Sequence, residues 1–110
     1  MITKHSQFAL NPEVSETDFL MASDKMQDEF YAQHDSLKRR ELLKTKENTW
    51  IEVLHWSGNG PAKHIQEAYW ASDTCMVFMG MIKKDSFKAL NQEQVTALQT
   101  KQVRVHNGTD

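Results

Sequence analysis

The stretch Trp50-Ile51-Glu52-Val53-Leu54-His55-Trp56 decides how this chain folds. Side chains alternate across a strand, so Trp50, Leu54 and Trp56 share one face while Ile51 and Val53 share the other. An antiparallel strand with one side in water shows a polar face. This one carries large apolar residues on both, and both need a cover. Just upstream, Leu37 to Thr45 reads as its hairpin partner across the short polar link Lys46-Glu47-Asn48-Thr49.

Working outward, Ile2 to Leu10 reads as a strand with Ser6, Phe8 and Leu10 on one face, stopped at Asn11-Pro12. A helix follows to about Gln33. Ser15 is its N-cap, Glu16 and Asp18 place negative charge in the first turn, and Phe19, Ala22, Met26 and Phe30 recur at helical spacing. Beyond the hairpin, Ser57-Gly58-Asn59-Gly60-Pro61 breaks the chain. Pro61 suits a first helical turn, and Ala62, Ile65, Ala68, Tyr69 and Ser72 form a small-residue stripe. Thr74 to Ile82 reads as a short, densely apolar helix.

A last strand is expected between about Asp85 and Ala97, with Phe87, Ala89 and Leu90 in the core. Residues 1–97 then form one domain. Residues 98–110 read as a polar, mobile tail in which only Val103-Arg104-Val105 has the character of an edge strand. The order β-α-β-β-α-β predicts an α+β, ferredoxin-like fold with two helices on one face of a four-stranded antiparallel sheet. Helices on one face leave Ile51 and Val53 bare. The cheapest cover is the same face of a second copy, since a two-fold pairing is self-complementary, and a homodimer is expected.

The totals narrow the function. Thirteen basic residues face fifteen acidic ones in 110, a net charge of −2 that supplies no field for nucleic acid or an anionic membrane. Lys38-Arg39-Arg40, answered by Glu41, reads as a solvated strand face rather than a phosphate track. The single cysteine, Cys75, excludes an internal disulfide and reads as buried and inert. No run approaches the roughly twenty apolar residues of a membrane span, and a cytoplasmic location is expected. The histidines show no close ligand spacing, so no metal is expected.

Phe19-Leu20-Met21-Ala22-Ser23-Asp24, Arg39-Arg40-Glu41-Leu42-Leu43, the Trp50–Trp56 strand, Ala68, and Ser72 to Ile82 with Cys75 and Phe78-Met79 together resemble a known family. It is the antibiotic biosynthesis monooxygenase-like branch of the dimeric α+β barrel superfamily, and the likeness runs from about Thr3 to Val95. The resemblance implies a homodimer of stacked sheets with a pocket between sheet and helices in each subunit. It implies cofactor-independent oxygenation of a small aromatic or polyketide-like compound. The superfamily also holds polyketide cyclases, lactone isomerases, haem-degrading enzymes and members without a known reaction. A non-catalytic ligand-binding or stress-related dimer, or a cyclase or isomerase, is therefore the alternative expectation.

In cofactor-free oxygenation a deprotonated, electron-rich phenol passes an electron to O₂. The protein supplies a dry pocket, a base and donors for the anion. Indole, imidazole and phenol groups are the fitting types. Trp56, which resembles the tryptophan the family often carries at the end of that strand, His55 and His5 are the candidate catalytic residues. Trp50, Tyr69, Phe78 and Glu52 are candidate substrate contacts. Each has an ordinary alternative as a core aromatic or a hydrogen-bonded sheet residue. Glu52, set in an apolar strand, needs a partner such as Arg39 or Arg40, or a raised pKa. No cofactor is expected. Haem-degrading relatives carry an asparagine inside the first strand, where this chain has Gln7.

Overall fold

Thr45 and Thr49 close the central hairpin. The Thr49 N–H donates to Thr45 Oγ1 at 3.2 Å, the Thr45 N–H donates to the Thr49 carbonyl at 2.9 Å, and Asn48 takes the left-handed conformation at φ 65°. Asparagine visits that region readily. The computed structural model describes residues 1–108. Along it run β1 (Ile2–Phe8), α1 (Glu16–Glu29), β2 (Leu37–Thr45), β3 (Trp50–Trp56), α2 (Lys63–Ala71), α3 (Asp73–Gly80), β4 (Lys88–Leu90), α4 (Gln92–Ala97) and β5 (Thr100–Asn107). A 3₁₀ turn over Tyr31–Gln33 follows α1, which therefore ends earlier than its sequence pattern predicts. The protein is α+β; the described residues form four helices and a five-stranded antiparallel sheet in the order β4-β1-β3-β2-β5.

Strand parity sorts the side chains. Phe8, Leu42, Trp50 and Trp56 meet Phe19, Met26, Phe30, Ile65, Cys75 and Phe78 in the main core between the sheet and α1, α2 and α3. Ser15 caps α1 as its sequence predicts, accepting from the Asp18 N–H at 3.0 Å. Ser72 caps α3, accepting from the Cys75 N–H at 3.2 Å. The expected last strand is cut to three residues. Phe87 lies before it, half exposed, and Ala89 is exposed.

Two expectations are corrected beyond that point. The stretch read as a polar tail contains β5, paired with β2 from Arg39↔Asn107 to Thr45↔Thr100, and the sheet has five strands instead of four. Gly108 then donates to the Lys38 carbonyl at 2.8 Å; a Cβ there would lie 2.7 Å from the Leu37 carbonyl oxygen. The last two positions of the tail, 109 and 110, lie outside the described residues. The second correction concerns the other face of the sheet. Between β4 at one edge and β5 at the other, the chain crosses that face as α4, and Val95 packs on Ile51 and Val53 with Leu43, Leu90 and Leu98 around them. The cover assigned to a second copy is supplied by the chain itself. Ile51 and Val53 are 0% and 4% exposed within one chain. Among the described residues no helix is long and apolar enough to cross a membrane.

Val95 is the one buried residue of α4. Val95→Ala is expected to lower unfolding stability by about 2 kcal/mol, from lost burial plus the cavity left behind. Urea denaturation measures it. A change below about 0.5 kcal/mol would mean that α4 does not seal this face.

Candidate functional site

The most polar point of the main core is Arg40 on β2, fully buried rather than solvated as its charge run suggests. Its Nε donates to Glu52 Oε2 at 3.0 Å, Nη2 donates to Ser23 Oγ at 2.9 Å and Nη1 donates to the Ser23 carbonyl at 3.3 Å. The guanidinium lies over the Tyr31 ring at 5.1 Å and the Phe78 ring at 5.7 Å. Glu52 reaches this pair from β3 because it shares the parity of Trp50 and Trp56. Only its Oε2 is engaged; no group among the described residues donates to Oε1.

Beside the ion pair, two adjoining cavities open between β3, the 3₁₀ turn and α2. One, about 430 Å³, is lined by Tyr31, Glu52, Tyr69, Trp70, Met79 and Phe87. The other, about 160 Å³, has Trp56, Phe30 and Ile65 on its walls and shares Tyr31, Tyr69 and Trp70 with the first. Trp56 is 3% exposed and its Nε1–H is buried without a partner. Burial, and then the Glu52 charge, raises both the Tyr31 and the Tyr69 phenol well above the usual tyrosine value. Both stay protonated at neutral pH and are available as donors. Burial likewise pushes the Cys75 thiol up, which keeps it from acting as a thiolate.

The sequence candidates therefore divide. Tyr69 lines both cavities, Glu52 the larger and Trp56 the smaller. Phe78 lies behind them, packed edge-on to Phe8 and tilted against Phe19. Trp50 sits at the far end of β3 against Phe19, with the Lys44 ammonium 5.5 Å from its ring. His5 and His55 are on the opposite face of the sheet, at odd positions paired with Val53 and Thr3. Tyr31, Trp70, Met79 and Phe87 complete the walls without having been singled out as site residues. Tyr31 follows Phe30 directly, out of the helical period, because the chain tightens into the 3₁₀ turn there. Among the described residues no cluster of three or more histidine, cysteine or acidic side chains is gathered for a metal ion.

His55 belongs instead to a polar ladder across four strands. Its Nδ1 is 3.2 Å from Thr3 Oγ1 and its Nε2 is 2.9 Å from Glu41 Oε2. Glu41 Oε1 accepts from Gln102 Nε2 at 2.8 Å and from Arg39 Nη2 at 3.4 Å, and Arg39 Nη1 donates to Asn107 Oδ1 at 3.1 Å. A small cavity of about 90 Å³ touches only the Arg39–Asn107 end of this group, and none of the cavities described is lined by His55 or Glu41; the group reads as a brace for the sheet. Burial opposes charge on Glu41, but hydrogen bonds and charge from His55 and Arg39 outweigh it and hold the carboxyl below its ordinary value.

Compared with protein-family models, with curated proteins and with solved structures, the chain matches none.

A depressed folded-state carboxyl stabilises the fold above its unfolded pKa, about 4.3 for glutamate, and loses that contribution as pH falls through the folded value. Glu41→Gln is therefore expected to be less stable than the parent by about 1 kcal/mol at neutral pH. The gap should hold above about pH 5 and close on acidification. Urea titrations of both proteins across that range check it; a gap that persists undiminished at the lowest pH would exclude a role for the Glu41 charge.

Proposed function

We propose that this chain binds a small aromatic compound bearing an oxygen acceptor, held in the cavity between β3 and α2. The observation that carries the reading is Trp56, which lines the smaller cavity and whose indole N–H is buried without a partner. An unsatisfied buried donor costs about 1–3 kcal/mol, which a ligand carbonyl or hydroxyl oxygen recovers on binding. The rings of Tyr31, Tyr69 and Trp70 give flat apolar walls to such a ligand. Binding of 2-naphthol, followed by calorimetry, is expected to weaken about tenfold in Trp56→Phe, the effect of one hydrogen bond to a buried group. Equal affinity in the two proteins would remove the indole from the site, and no heat with the parent protein would sink the reading.

Cofactor-independent oxygenation is the second reading, and Glu52 favours it. Its carboxylate lies on the cavity wall with one oxygen free of the Arg40 contact, within reach of a ligand hydroxyl. In that chemistry the phenol proton passes to Glu52 and the phenolate reduces O₂. His5 and His55 lie across the sheet, and among the described residues no histidine lines either cavity, which leaves Glu52 as the base on this reading. Oxygen uptake with dihydroxynaphthalenes and anthrones is expected from the parent protein, and its loss in a Glu52→Gln variant whose native fold is verified by circular dichroism. Absence of uptake across the panel leaves binding alone.

The antibiotic biosynthesis monooxygenase-like, ferredoxin-like reading belongs with this proposal. It is supported by the order β4-β1-β3-β2 within the sheet and by the sheet–helix cavity. The homodimer of that reading has less support, because α4 occupies the face on which two sheets would stack.

A further inference from the structure

We infer that α2 is a hinged lid on this cavity, swinging about Gly58 and Ser72 and closing the mouth with Trp70. Its purpose rests on the small-molecule reading above; its mechanics do not. The helix supplies Ile65, Gln66, Tyr69 and Trp70 to the cavity wall, so any movement of α2 opens or shuts the site.

Its attachment is weak. Ile65 is its one buried residue, whereas α1 buries Phe19, Ser23 and Met26 and α3 buries Cys75 and Phe78. The N-cap residue, Ala62, has no side chain to accept from the helix N-terminus, and the first turn contains no acidic residue. Lys63 instead adds positive charge where the helix dipole disfavours it. The neighbouring helices have serine caps and acidic first turns, Glu16 and Asp18 in α1 and Asp73 in α3. The missing cap leaves α2 less stable than its capped neighbours.

Both ends are built to bend. Gly58 and Gly60 take φ of +64° and +102°, conformations that suit glycine, and nothing lies within 4 Å of a Cβ placed at Gly58. The turn at Gly58 is therefore open, and at Gly60 a Cβ would meet only the ends of the Ile2 and Lys4 side chains at 3.9 Å. At the other end Ser72 is extended, at φ −89° and ψ 121°, and breaks α2 from α3. The one side-chain hydrogen bond from α2, Gln66 Nε2 donating to the Pro61 carbonyl at 3.0 Å, stays inside the moving segment. Contact with the body comes from Ile65 and from Tyr69, edge-on to Phe30 at 5.6 Å.

The driving force for closure is on the surface. Trp70 and Phe87, which both line the larger cavity, are 63% and 49% exposed. Apolar area of that size left in water favours any movement that buries it on a bound ring. A ligand that binds the closed arrangement better shifts α2 toward it.

Hydrogen exchange on the full chain, without ligand, tests the hinge. Amides of α2 are expected to exchange at least tenfold faster than those of α3. Ala62→Asp, which restores a cap, should slow α2 about fivefold and leave α3 unchanged. Saturating 2-naphthol should slow α2 further. Equal protection of α2 and α3 would overturn the lid, as would an Ala62→Asp effect spread evenly over both helices, because then nothing bends at Ser72. Fast, cap-sensitive exchange in α2 with no 2-naphthol binding by calorimetry would keep the hinge and discard the aromatic ligand.

Discussion

A guanidinium without exposed surface cannot be tolerated unless every one of its partners is in place. Taking an arginine out of water costs several kcal/mol, and its Coulomb attraction to a carboxylate returns that only with good geometry and satisfied donors. Arg40 of β2 meets the condition by drawing on other parts of the chain: Glu52 from β3, the hydroxyl and carbonyl of Ser23 from α1, the Tyr31 ring from the 3₁₀ turn and the Phe78 ring from α3. None of these contacts is local in sequence. The pair therefore ties the layers together and fixes their register, since a one-residue slip of β3 would turn Glu52 to the opposite face and leave a bare charge in the core. Replacing one partner alone carries the same penalty. The geometry that satisfies Arg40 also sets the Glu52 carboxylate on the cavity wall, so one interaction serves both the fold and the candidate site.

Burial of β3 on both sides has a second consequence. The sheet divides the polar chemistry of the chain into two sets that cannot meet. Even positions of β3 carry Glu52 and Trp56 toward α1, α2 and α3; odd positions carry His55 to the opposite face, into the brace formed with Thr3 and Glu41. Over the middle of the odd face, α4 lays Val95 on Ile51 and Val53. Crossing from one edge of the sheet to the other on a single short helix lets one chain close both layers, which is how 110 residues bury a strand whose composition calls for a cover on each face.

The residues that decide the fold were legible where their pattern was strong. Trp50 to Trp56 announces a doubly buried strand, Ser15 announces the start of α1, and the break at Gly58 to Pro61 separates hairpin from helix. The end of the chain was not legible by periodicity. In β5 the apolar residues are few and charges fall on both faces, because Arg104 is paired with Asp24 across the layer and the outer edge is free. Charged edges of this kind protect a sheet from pairing with others and read as tail. In α4 a single buried residue, Val95, gives no period. The available signal was local: Asn91 and Gln94 form a reciprocal capping box, with bonds of 2.8 Å in both directions. For the site, parity in the sequence already separates His55 from Trp56, whereas the burial of Arg40 could not be read from a run of three basic residues. Its complement, an isolated glutamate in an apolar strand, was the better clue.

The cavity is richer in donors than in acceptors, and this bears on what it holds. Trp56 can only donate, and Tyr31 and Tyr69 are kept protonated by burial and by the nearby carboxylate. Glu52 is the one carboxylate on the walls among the described residues, and Arg40 already takes half of it. On the proposed reading, a ligand with oxygen acceptors spaced along an aromatic frame answers these donors, and one hydroxyl proton can move to the free side of Glu52. Loss of that proton would leave negative charge on the ligand, where indole and phenol donors stabilise it best in a site shielded from water. Shielding is what the cavity lacks while Trp70 stands open. On these two proposals, binding, proton transfer and closure of α2 are linked through one requirement: the donors gain their full strength only when the mouth is shut.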